Sequence, residues 1–250
     1  MRSLRAARRT PALLLAGLLL TAGCTDTDDS PSTPEAADPP SAQTSSSAPE
    51  PSPTSTTPPP TTSASPASLT DRLLATADVP GLNAQWQWQD GRTRPARSKP
   101  FGMCAQTAPG ASLLDIGATE VVERSYFPPD DSDDNAAHQV AEFPDAKSAT
   151  RAWAVLEAWR ERCGRTISAD VDLSVRPLVS VPVGSGTARW YLLSWSPVGE
   201  ETGRFEAFGM VRNGTRIAVL RITNSGLDYN YRPGSEPMVA MVKAAADRLG

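Results

Sequence analysis

Residue types able to make or break bonds are sparse in this 250-residue chain, which has three cysteines and one histidine. A nucleophile–histidine–acid arrangement needs an imidazole positioned as a base, and His138 is the sole candidate. It lies in the β-prone run "AAHQVAEF", where a strand residue with an ordinary hydrogen bond is the simpler reading. "GMC" at 102 to 104 could hold a reactive thiol, but Cys104 and Cys163 form an even pair. Free thiols or a metal pair are the alternatives, and two cysteines with one histidine make a poor metal site. Asp130, Asp131, Asp133 and Asp134 could attract calcium, yet they lack the Gly and distal Glu of an EF-hand loop. "GSGTA" at 184 to 188 lacks the Lys and following helix of a phosphate loop. Arg92, Arg94, Arg97 and Lys99 form a small basic loop, which could meet anionic lipid or a wall polymer or be an ordinary charged surface. No catalytic residue, metal site or cofactor is expected, and the chain is read as a non-enzyme.

The remaining cysteine closes "ALLLAGLLLTAGC", with an apolar run from Ala12 to Leu20. A membrane-spanning helix needs roughly 20 apolar residues, so the run is short and reads as the core of a signal peptide. Arg2, Arg5, Arg8 and Arg9 precede it without any acid. Thr21-Ala22-Gly23-Cys24 resembles the lipobox of bacterial lipoproteins, although Thr21 stands where Leu is commonest. The resemblance implies cleavage before Cys24 and a diacylglycerol thioether on it. An ordinary secretory signal with a chance cysteine is the other reading. Arg8-Arg9 leaves export by the Sec or Tat route open. Anchoring by acyl chains rests on buried methylenes at roughly 0.8 kcal/mol each, so one chain holds weakly and two or three hold well.

Residues 25 to 67 are Ser, Thr, Pro and Ala with six acids, Asp26, Asp28, Asp29, Glu35, Asp38 and Glu50, and no Lys or Arg. Such a segment cannot bury a core. At roughly 3.1 Å per residue it reaches on the order of 100 Å, enough to lift a domain into a cell wall. It is either a bare spacer or a glycosylated one. Formal net charge is −4; without the four signal arginines it is −8, and without the linker acids the domain stands near −2. That is no footprint for nucleic acid. Arg outnumbers Lys 21 to 3, which points to a GC-rich, plausibly actinobacterial, genome.

Residues 68 to 250 are one domain's length. In an exported domain Cys104 and Cys163 are most simply a disulfide. Closing a loop of about 59 residues, it stabilises by roughly 4 kcal/mol at most. The pattern reads as α+β: an antiparallel sheet of about six to seven strands packed with helices. "SLTDRLLATADV" reads as a short leading helix, opening with a Ser/Thr cap and carrying an apolar face of Leu73, Leu74 and Val79. "AQWQWQDG" alternates like a strand with Trp86 and Trp88 on one side; "TEVVERSYF" and "AAHQVAEF" follow. Asp145 can cap a helix to Cys163, whose stripe is Ala149, Ala152, Leu156, Trp159 and Cys163. "DLSVRPLVSVPV" and "ARWYLLSWSPV" read as extended. Asn213-Gly214 predicts a type I′ hairpin, pairing Arg212 with Thr215, Met210 with Ile217, Phe208 with Val219 and Glu206 with Arg221. The same residues match a glycosylation sequon, but turn chemistry explains them better. Both hairpin faces are apolar, so it is covered on both sides or lines a pocket. A last helix begins at Ser235, with Pro237 in its first turn and Met238, Met241, Val242, Ala245 and Leu249 buried.

The order of "LLATADVP", "HQVAEFPDAKSATRAWAVLEAWRERC" and "FGMVRNGTRIAVLRI" resembles the extracellular sensor domain of mycobacterial Ser/Thr kinases, the PknH-like sensor domain, which also occurs in actinobacterial lipoproteins. The resemblance covers most of residues 68 to 250. It implies helices against an antiparallel sheet and a cleft for an extracellular ligand. That family commonly has two disulfides; this domain has cysteines for one, so part of the cleft is framed differently. Aromatic walls suit sugars, lipids or apolar metabolites. Tyr191 and Trp195 share a strand face opposite Trp190 and, with Phe208 and Met210, make the candidate ligand site; Trp86, Trp88, Tyr229 and Tyr231 add to the supply. The expected function is a lipid-anchored, non-catalytic ligand-binding domain outside the cytoplasmic membrane. An envelope scaffold and a wall hydrolase are the rivals, and an apolar pocket rather than a flat patch favours binding. Oligomeric state is open. Cys24→Ala is expected to move the protein from the detergent phase to the aqueous phase on membrane partition; unchanged partition contradicts acylation.

Overall fold

The computed structural model describes residues 68–108, 112–166, 171–197, 199 and 201–250. The expected signal peptide at 1–23 and the linker at 24–67, Cys24 included, lie outside the described residues.

Two 3₁₀ turns, Leu69–Arg72 and Thr76–Asp78, lead into the strands. The elements that follow are β1 (Gln89–Pro95), α1 (Met103–Gln106), β2 (Glu120–Phe127), β3 (Asn135–Glu142), α2 (Ala146–Thr166) and β4 (Val171–Val175). The chain continues through β5 (Val179–Ser180), β6 (Thr187–Pro197), β7 (Gly203–Asn213), β8 (Arg216–Gly226) and α3 (Pro237–Leu249). The strands form one eight-stranded sheet in the order β1-β2-β3-β8-β7-β6-β4, with β5 also on β6. Every pairing is antiparallel. The fold is α+β. "DLSVRPLVSVPV" supplies two strands, because Pro177 has no N–H for a ladder and splits the run; Arg176 N–H still donates to Leu192 at 2.9 Å.

Alternation sorts the strands into two cores. One face carries Val122, Tyr126, Val140, Trp190, Leu192, Ala207, Val211, Leu220 and Ile222, and the leading turns and α3 cover it. The other carries Val121, Ala141, Tyr191, Leu193, Phe208, Met210, Ile217 and Val219 against the α2 stripe. Asp145 accepts from Ser148 N–H at 2.6 Å and caps α2 as expected. Ala149, Ala152, Leu156 and Cys163 are buried and Trp159 packs against the same core. Cys163 bridges to Cys104, so α1 is tied to α2. All five residues expected on the inner face of α3 are buried.

Four local expectations are corrected. The opening segment is two 3₁₀ turns, the first closed by a Ser68–Asp71 capping box, rather than one helix. Trp86 and Trp88 precede β1 instead of lying in it. Asn83 Oδ1 accepts from Gln85 N–H at 3.0 Å, and the Trp88 indole donates to Pro80 carbonyl at 2.8 Å, which folds the run back on itself. The hairpin pairs Asn213 with Arg216, Met210 with Val219, Phe208 with Arg221 and Glu206 with Thr223. A type I′ turn would need positive φ at Asn213, but among the described residues only glycines have it, and Gly214 takes φ +58°. The two central residues are therefore Gly214-Thr215. The pairing moves by two positions, so every side chain keeps its expected face; Glu206 and Arg221 become diagonal neighbours. Finally, α3 is capped at Glu236, one residue after Ser235, with Pro237 at its first position.

Helix α3 lies so close to β7 that Gly209 has no room for a side chain. A Cβ there would sit 2.5 Å from Val242 Cγ2 and 2.6 Å from Met238 Sδ. Gly209→Ala is expected to lower unfolding free energy by about 1–3 kcal/mol through overpacking, read from urea unfolding midpoints; an unchanged midpoint would mean that α3 shifts freely.

Candidate functional site

The α2 side of the sheet is covered by helix over β6–β8 and left open by it over β2 and β3. There the segment after β1 arches above the strands and encloses a cleft of about 460 Å³. Its floor is Glu123 and Ser125 from β2, Asn135, Ala137 and Gln139 from β3, and Arg221 from β8. β1 supplies Arg94, the arch supplies Arg97, Lys99, Pro100 and Phe101, and Phe127 stands at the rim, 46% exposed.

The arch is held from both ends. Ala96 N–H donates to Val121 carbonyl at 2.8 Å. The Ser98 hydroxyl donates to both Asp115 carboxylate oxygens, at 2.9 and 2.8 Å. Hydrogen bonds from Ser112 and Ser98 hold the Asp115 carboxyl below the usual carboxylate range. Phe101 is buried against Phe208, with ring centroids 6.0 Å apart.

The cleft's charges are unequal. Glu123 is its one acid and is occupied at both oxygens, by Arg94 at 2.8 Å and by the Gln139 amide at 2.6 Å. The Arg221 guanidinium lies 5.4 Å from the Phe101 ring centroid and donates from Nη2 to Asn135 Oδ1 at 3.0 Å. Its Nε is buried without a hydrogen-bond partner among the described residues. The Arg97 and Lys99 side chains are exposed at the mouth.

A second, shallower cleft of about 310 Å³ adjoins on the same sheet face, lined by Met103, Asp133, Asp134, Trp195, Arg204 and Glu206 among others. Glu206 is buried and accepts from Met103 N–H at 2.8 Å, which fixes the start of α1. Burial pushes its carboxyl up, against the pull of that bond and of Arg221. Burial likewise raises Asp134, which accepts from Ser225 N–H at 3.0 Å.

Of the expected ligand residues, Tyr191, Phe208 and Met210 are core: they are 3%, 5% and 0% exposed, and Tyr191 stacks on Phe208 at 5.3 Å. Trp195 is half-buried and lines the second cleft. The structure brings the four onto one face but leaves only Trp195 facing a cavity, and the cleft over β2 and β3 is polar rather than apolar. The other aromatics are divided: Trp86 and Trp88 line a separate cavity of about 570 Å³ with Thr76 and Val79, and Tyr231 lines one of about 250 Å³ beside the start of α3. Trp86 and Trp88 pack edge to face at 5.4 Å, and Tyr229 lies between Phe205 and Tyr231 at 5.8 and 4.7 Å. Ser125, Asn135, Gln139 and Arg221 were not expected from sequence as site residues. One signal was available: an arginine interrupting the apolar run "AVLRIT" of β8.

His138 is wholly buried. Its Nδ1 accepts from Leu74 N–H at 3.1 Å, tying the leading turns to β3. Its Nε2 has no partner among the described residues. Burial, and then the charges of Arg124 and Arg248, hold its pKa down to about 3. The imidazole is therefore neutral and out of reach of solvent.

A search of solved structures finds likeness to the crystal structure of the extracellular domain of PknH from Mycobacterium tuberculosis. That match has a TM-score of 0.45 and 15% identity, and covers 70% of this chain and 94% of that one. No family model and no curated protein matches the chain.

The unfolded chain takes a proton on His138 near pH 6.5, which the folded protein refuses until about pH 3. The stability it contributes is thus complete above pH 6.5 and is lost as pH falls toward 3. His138→Asn is expected to flatten that decline in urea titrations stepped from pH 7 to 4; an undiminished slope would place its origin elsewhere.

Proposed function

We propose that the chain is an exported lipoprotein, anchored through Cys24 on the outer face of the cytoplasmic membrane. Its 68–250 domain binds a small molecule, lipid or wall fragment without transforming it. The cleft over β2 and β3 carries this reading: it is concave, within the size range of small-ligand sites, and built on rigid strands. The spacing of "TAGC", the Pro-rich tether and the domain disulfide support an extracytoplasmic setting. No helix among the described residues is long and apolar enough to cross a membrane. The position of His138 favours binding over hydrolysis, since a base sealed behind Leu74 cannot reach a substrate in either cleft.

Among the described residues the large exposed apolar side chains are Phe127, Val179 and Leu227, on β2, on β5 and after β8. Three such residues on three different elements of the described chain do not favour the scaffold reading. Native mass spectrometry of the protein purified from its own envelope is expected to show a retained mass, lost on Arg221→Leu. Turnover of any wall substrate that disappears with His138→Asn would overturn the non-catalytic reading.

A further inference from the structure

We infer that the cleft over β2 and β3 selects a ligand bearing a phosphate-type group on a hydroxylated body; this rests on the binding reading above. The domain as a whole is slightly acidic, near −2, yet charge is segregated at this one concavity. Arg94 and Glu123 cancel within their 2.8 Å pair, and the second oxygen of Glu123 is taken by Gln139. Arg97, Lys99 and Arg221 remain, three cations around one cleft. None of the three has an ion pair among the described residues.

Like charges facing one cavity repel, and an anion placed among them relieves that repulsion. A dianionic group satisfies that arrangement better than a single carboxylate does. The inner cation is also pre-organised. Phe101 and Asn135 hold the Arg221 guanidinium before any ligand arrives, which lowers the ordering cost of binding. Arg97 and Lys99 are poised at the mouth on a segment fixed by Ser98 and Asp115. Between them, the Ser125 hydroxyl has no partner among the described residues, and Gln139 uses only its amide N–H toward Glu123. These groups suit hydroxyls, not hydrocarbon. A floor of strands with a roof over it fits a compact phosphorylated molecule; a lipid headgroup offers the same chemistry from another source.

The test uses the full chain secreted with Cys24→Ala, titrated calorimetrically with glucose 1-phosphate, with inorganic pyrophosphate and with vesicles containing phosphatidylinositol 4-phosphate. Binding of a soluble phosphate is expected, weakened at least tenfold by the double variant Arg97→Gln/Lys99→Gln and by raised salt. Arg92→Gln, on β1 outside the cleft, should stay within twofold. Binding confined to vesicles, with the same dependence on Arg97 and Lys99, supports the phosphate chemistry and assigns it to a headgroup. Equal losses in the Arg92 variant and the double variant would expose diffuse charge attraction and overturn the site. A retained native ligand without any anionic group overturns this inference and leaves the binding reading standing. No retained mass and no probe bound overturns both.

Discussion

Burial of the β7–β8 hairpin on both faces is the constraint on which the rest of the domain depends. A strand pair exposed on one side can tolerate polar residues every second position. This one cannot: Ala207, Val211 and Leu220 face α3 while Phe208, Met210 and Val219 face α2. Two helices must therefore arrive on opposite sides, and neither core closes without the other. The helix supply is just sufficient. Helix α2 covers the centre of its face and α3 the centre of the other, so the β1–β3 flank on the α2 side is roofed only by an arched segment. The cleft is what a two-helix solution leaves uncovered on an eight-stranded sheet.

Burial on both faces also explains where polarity was placed. Glu206 and Arg221 are charged residues set between apolar neighbours in the strands. In the interior each would be expensive alone. Glu206 is satisfied by Met103 N–H and Arg221 by Asn135 and the Phe101 ring. Both therefore report on the same covering segment, from Phe101 to Met103. That segment is fastened through Cys104 to α2. The wall between the two clefts is thus held by a carboxylate, a cation–π contact and a covalent bond, all within four consecutive residues.

Much of the fold was readable from the residues, for reasons that are local. The α2 stripe, the Asp145 cap, the α3 stripe and the two apolar faces of the hairpin follow from period and end chemistry, and they stand where expected. The hairpin register did not follow, because it turns on which of two adjacent residues takes positive φ, and Asn213 and Gly214 both permit it in sequence. Trp86 and Trp88 alternate like strand residues, yet an Asx turn at Asn83 and an indole bond to Pro80 fold them back. The site was the least readable part. Aromatic side chains are equally good walls and equally good core, and Tyr191 and Phe208 became core. The cleft instead draws on residues from β1, β2, β3, β8 and the arch, spanning Arg94 to Arg221. Only strand order brings them together, and no local pattern encodes that order.

The single bridge between Cys104 and Cys163 has a combinatorial consequence. Four cysteines can pair in three ways and six in fifteen; two can pair in one. With Cys24 acylated, as proposed, no third thiol competes for oxidation. The domain can then leave the export channel reduced and meet a non-specific oxidant without risk of a mispaired isomer. It has no need of a reshuffling catalyst to correct one.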